Sequence, residues 1–96
     1  MPKVLLYVSA KITWIFLFFG TDVNESRAHV HVGKKSTGEY CKICLEPKIS
    51  IAKGGTLTTA ELNEVLKITT ECRFQLVEQW RKFTEGKTIK MITVKK

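Results

Sequence analysis

The sequence predicts an α+β protein, with a small antiparallel or mixed sheet packed against one long C-terminal amphipathic helix and followed by a short terminal strand. Three observations carry this. Up to residue 57 the apolar residues alternate or run in short stretches bounded by Gly, Pro, Asn and Asp; from Thr58 they recur with helical spacing; beyond Gly86 a brief alternation returns. Strands first and a helix afterwards give the order β-β-β-β-α-β, which lacks the regular alternation of a parallel α/β fold.

The N-terminal run contains two strands, Val4 to Val8 and Ile12 to Phe19. In the second, Ile12, Trp14, Phe16 and Phe18 share one face and Ile15, Leu17 and Phe19 the other, so it is a covered central strand. A membrane span is not expected: the longest unbroken apolar run is Trp14 to Phe19, and Lys11 sits mid-segment where a span needs about 20 apolar residues. The loop "TDVNESRA" leads into a strand from Ala28 to Val32, ended by Gly33. After "KKSTG", the stretch "EYCKICLE" alternates Cys41, Ile43 and Leu45 with Tyr40, Lys42 and Cys44, and Pro47 closes it. Structure at Ile49 to Ala52 must be short, because Gly54-Gly55 marks a turn.

Thr58 with Glu61 three residues on is a capping box, and Leu57 with Leu62 a hydrophobic staple, so a helix starts here. Spaced at 100° per residue, Leu62, Val65, Leu66, Ile68, Thr69, Cys72, Leu76, Val77, Trp80 and Phe83 form one apolar face opposite Glu64, Lys67, Glu71, Glu78 and Lys82. Arg73 falls inside the apolar arc and Phe74 on the polar side. Gly86 ends the helix, and "KTIKMITVKK" supplies the last strand. The expected organisation is a single domain over residues 1–96, with a strand-rich part at 1–57, the helix at 58–86, and a terminal strand with a basic end at 87–96.

The net charge is +7, spread evenly: residues 1–57 hold 8 Lys+Arg against 4 Asp+Glu, and residues 58–96 hold 8 against 5. That sign favours encounter with RNA, DNA or an acidic protein without naming one. Gly54-Gly55 lacks the following Lys-Ser/Thr of a phosphate-cradling loop, and the lone aspartate, Asp22, and the serines lack a nucleophile-elbow context. Conventional nucleotide hydrolysis and triad chemistry are therefore not expected, and no cofactor is implied.

"HVHVGKK" places His29 and His31 on one strand face. Imidazoles can donate to a phosphodiester or exchange protons with it, and Arg73, Lys34, Lys35 and Lys42 can hold its oxygens. Cys41 and Cys44 have the spacing of a zinc knuckle, but three residues apart on a strand they face opposite ways, so no metal site is expected. Three cysteines, an odd count, without an export signal fit reduced thiols in the cytoplasm.

The stretches "NESRAHVHV", "EYCKICLEP" and "GTLTTAELNEVLKITTECRFQLVEQWRKFTEGK" together resemble the small bacterial family called domain of unknown function 4160. Its members look like an aromatic strand, an N-x-P-P-H-x-H-V loop and strand, an A-K-I-W-L-E-like strand, and a helix with N-R-x-x-L-x-x-x-W. The pattern lands here on Asn24, His29, His31, Val32, Lys42, Leu45, Glu46, Glu61, Leu62, Arg73, Leu76 and Trp80. Arg27-Ala28 replaces the proline pair, Cys44 takes the aromatic position, and Cys72 precedes Arg73 in place of a polar residue. The resemblance implies no established activity, but it does imply a neighbouring small gene in an arrangement like a toxin–antitoxin pair. Two functions are thus expected as alternatives. One is binding, or metal-free ribonuclease-like cleavage, of nucleic acid or another phosphate-bearing ligand, with His29 and His31 as candidate catalytic residues. The other is a non-catalytic subunit that binds a cognate small protein, its histidines being structural.

Overall fold

The computed structural model describes residues 3–18, 27–34, 40–46 and 48–95. The elements are β1 (Lys3–Val8), β2 (Thr13–Leu17), β3 (His29–Lys34), β4 (Tyr40–Cys44), β5 (Ser50–Lys53), α1 (Thr59–Glu71), α2 (Arg73–Thr84) and β6 (Ile92–Lys95). The loops expected at 21–28 and 34–38, Phe19 and Pro47 lie wholly or mostly outside the described residues.

One mixed six-stranded sheet has the order β5-β4-β3-β2-β1-β6. The first five strands form an antiparallel meander, each paired with its neighbour in sequence. The helices then carry the chain back across the sheet, so β6 joins β1 in parallel, Leu5 beside Ile92 and Val8 beside Lys95. In β1 a register irregularity between Lys3 and Leu5 lets the consecutive Val4 and Leu5 both be fully buried.

Register assigns the two faces. Tyr7, Trp14, Phe16, Val30, Val32, Cys41 and Ile43 are linked by cross-strand pairs or by alternation, and with Leu45 they pack against Val65, Ile68, Cys72, Leu76 and Trp80 in one core. Trp14 is fully buried there, and its indole N–H has no acceptor among the described residues. By register the other face carries Ile15, Leu17, His31, Gly33, Tyr40, Lys42 and Cys44, of which Ile15 and Leu17 are buried; His29 has the same register, but at the end of the strand its ring also reaches Trp80 of α2.

The structure has two helices where one long helix was expected. The break falls at Cys72, whose φ of −99° and ψ of 13° leave the helical region. Two consecutive threonines stand shortly before it, and both bond back along α1: the Thr69 hydroxyl donates to the Val65 carbonyl and that of Thr70 to the Leu66 carbonyl. Such back-bonding weakens and bends a helix. The apolar stripe continues through the break, with Cys72, Leu76 and Trp80 buried. The capping box at Thr58 is present in both directions: the Glu61 N–H donates to Thr58 Oγ1, and the Thr58 N–H to Glu61 Oε1. At the other end, Gly86 has φ of 73°, its N–H donates to the Phe83 carbonyl and that of Lys87 to the Lys82 carbonyl. This is the left-handed Schellman termination that glycine permits.

Gly33 does not end its strand. β3 runs on through Lys34, because Gly33 pairs with Ile15 on one side and Tyr40 on the other. The residue periodicity missed is Gln79, which is buried and donates from Nε2 to the carbonyls of Val4 and Lys90, tying α2 to the start of β1 and the approach to β6. Among the described residues no helix is long and apolar enough to cross a membrane.

Candidate functional site on the sheet face opposite the helices

His29 and His31 alternate with Val30 and Val32 along β3, and their rings lie edge to face with centroids 5.6 Å apart. They differ in environment. His29 is only 3% exposed; its ring packs 5.1 Å from that of Trp80, and its Nδ1 lies 3.2 Å from the Arg27 carbonyl oxygen, which the Nδ1–H tautomer bonds as donor. His31 is half-buried, between Leu17 on β2 and Lys42 on β4.

Residues directly opposite in an antiparallel pair project to the same side, so Lys42 stands beside His31, and Cys44 beside His29. Tyr40, two residues along β4, completes a half-buried row of Tyr40, Lys42 and Cys44, with side-chain-free Gly33 opposite the tyrosine. Lys53 on the edge strand β5 pairs with Lys42 and is exposed. A Cβ at Gly55, whose φ is 61°, would meet the Tyr40 carbonyl oxygen at 2.6 Å, so only glycine lets the chain leave β5 this close to β4.

Arg73, the first residue of α2, is exposed, and its Nε donates to the Leu45 carbonyl at 3.4 Å. The Leu45 N–H in turn donates to the Ala28 carbonyl, next to His29. Arg73 thus stands at the end of the sheet where β3 begins. Lys34 does not join these residues. With β3 continuing past Gly33, it points to the helical side and forms an ion pair with Glu61 of α1. Hydrogen bonding from Lys34, then from the Thr58 backbone, holds the Glu61 carboxyl below its ordinary value against a smaller opposing effect of burial. Lys35 lies outside the described residues.

Cys41 faces the core and Cys44 the opposite side; burial pushes the Cys41 thiol up to about 11. Among the described residues no three His, Cys, Asp or Glu side chains are grouped to hold a metal ion.

Charge differs from element to element, and α2 sets Arg73, Arg81 and Lys82 against Glu78 alone. The strands contain Lys3, Lys34, Lys42, Lys53 and Lys95 and neither Asp nor Glu. α1 sets Glu61, Glu64 and Glu71 against Lys67 alone. Tyr40 and Lys53 were not expected as site residues. The alternation in "EYCKIC" already put Tyr40 on the face of Lys42, whereas Lys53 needed the β4–β5 register.

Fold and site together define a small α+β protein with a basic sheet face bearing histidines. Residues 13–81 match the family model described as Domain of unknown function (DUF4160), and the chain belongs to that family. The match runs from β2 into the last turn and a half of α2 and includes every candidate residue above. No curated protein and no solved structure matches the chain.

Proposed function

We propose that this protein binds nucleic acid on the sheet face opposite its helices, holding phosphates with Lys42, Lys53 and Arg73. The observation that carries the reading is the register that sets His31, Lys42 and Lys53 side by side across β3, β4 and β5 in strands without a single carboxylate. The net charge of +7 works in the same direction at long range.

Binding fits the geometry better than cleavage. A two-imidazole acid–base mechanism needs both rings against the scissile phosphate, and His29, buried against Trp80, is a positioning residue for the start of β3. The test is titration of a labelled RNA or DNA strand at several salt concentrations. The double variant Lys53→Ala/Arg73→Ala should bind more weakly and with a log–log salt slope flatter by about 0.7 for each phosphate no longer neutralised. In the second reading, a protein-binding subunit of a two-gene module, the partner docks at Phe74 of α2, which is 76% exposed. A protein that binds no strand at low salt but loses a co-purifying small protein on Phe74→Ala would support that reading instead.

A further inference from the structure

Resting on the nucleic-acid reading, we infer that the ligand class is single-stranded, with a base stacked on Tyr40 and the backbone tracking the cations of β4 and β5. Three features of the fold lead there. First, α1 does not suit a duplex groove. It buries Val65 and Ile68 against the sheet, and the rest of it sets Glu61, Glu64 and Glu71 against Lys67 alone, an acidic balance that repels phosphate.

Second, the cations of β4 and β5 lie on the face of a wider sheet, not on a free ribbon. A major groove about 12 Å wide admits one helix or a two-stranded ribbon. Here the surface belongs to an inseparable sheet of six strands spaced about 4.8 Å apart, so a duplex could touch it only with its outer phosphates.

Third, the surface offers a ring where a splayed base would need one. Tyr40 lies on the same side of β4 as Lys42, opposite Gly33, which contributes no side chain to crowd the ring. His31 and Lys42 follow in the next row of the sheet, and Lys53 stands outside Lys42 on the edge. An aromatic ring with cations beside it matches a single strand, whose unstacked bases are held by ring faces and whose phosphates are held by cations. A duplex keeps its bases stacked on each other and leaves the Tyr40 ring unused.

The experiment compares three probes on the wild-type chain by fluorescence anisotropy at low salt: a short mixed-sequence RNA strand, the same strand annealed to its complement, and an abasic strand of equal length. Expected is binding to the RNA strand roughly tenfold or more tighter than to the duplex or to the abasic strand, which keeps the phosphates and loses the rings. Tyr40→Leu should weaken strand binding roughly tenfold and leave the duplex unchanged, while Tyr40→Phe, which keeps the ring, should match the wild type. Duplex or abasic strand bound as tightly as the RNA strand overturns the single-strand inference and leaves the nucleic-acid reading in place. No binding to any of the three overturns both. The abasic comparison uses unaltered protein, so it decides the matter even where Tyr40→Leu fails to fold.

Discussion

His29 and Trp80 are 51 residues apart in sequence, yet their rings sit 5.1 Å apart at an interplanar angle of 51°. Their packing joins the first residue of β3 to α2. Trp80 also meets Phe18 edge-on at 5.2 Å and Phe83 at 5.9 Å, so one indole anchors α2 to the end of β2 as well.

Trp80→Ala should therefore cost about 3–5 kcal/mol, the range for deleting a buried large aromatic. For a domain of this size that approaches the whole folding stability. Urea denaturation followed by circular dichroism measures it, and a loss below about 1 kcal/mol would mean that the indole does not anchor α2.

Glu61 has two partners: its carboxylate accepts from the Thr58 N–H at the start of α1 and pairs with Lys34 of β3. Because the folded carboxyl lies below its ordinary value of 4.5, the unfolded chain binds protons more readily in the acid range. The stabilisation is fully present above the unfolded value and disappears as pH falls through the folded one. Glu61→Gln should lower the urea midpoint at neutral pH, and the gap from wild type should close as pH falls through the range where the folded carboxyl takes up its proton. A gap of constant size across that range would show that the charge of Glu61 is not what stabilises.

The thiols should react in a set order. Cys41 is buried with its pKa raised to about 11, and Cys72 is buried too, whereas Cys44 is half-buried on the opposite face. The thiolate is the reactive species, so iodoacetamide at mildly alkaline pH should modify Cys44 first and the other two only on unfolding. Peptide mass spectrometry over a time course checks this. Equal rates at Cys41 and Cys44 would contradict the opposed faces.

Most strands and the start of α1 were legible because their signals are local: alternation for β2 and β4, and Thr58 with Glu61 for the cap. What stayed hidden depends on partners. Gly33 reads as a strand end until β2 and β4 are seen on either side of it, and the same misreading moves Lys34 from a loop rim to the helical face, where Glu61 awaits it. The break at Cys72 is invisible to apolar periodicity, which runs straight through it; the consecutive Thr69 and Thr70 were the only local warning. For the site, the shared face of His29 and His31 followed from strand period, but their unequal burial comes from Trp80, 49 residues beyond His31. The adjacency of Lys42 and Lys53 comes from a β4–β5 pairing with an irregular register, which no window of sequence displays.

The most direct test of the central claim is a backbone amide NMR titration of the isotopically labelled protein with a short RNA strand at low salt. The account predicts chemical-shift changes concentrated at His31, Tyr40, Lys42 and Lys53, with a lesser set at Arg73, while the amides of the exposed Asn63, Lys67 and Thr70 of α1 stay unmoved. Shifts confined to α1, or none at all at ligand excess, would contradict it.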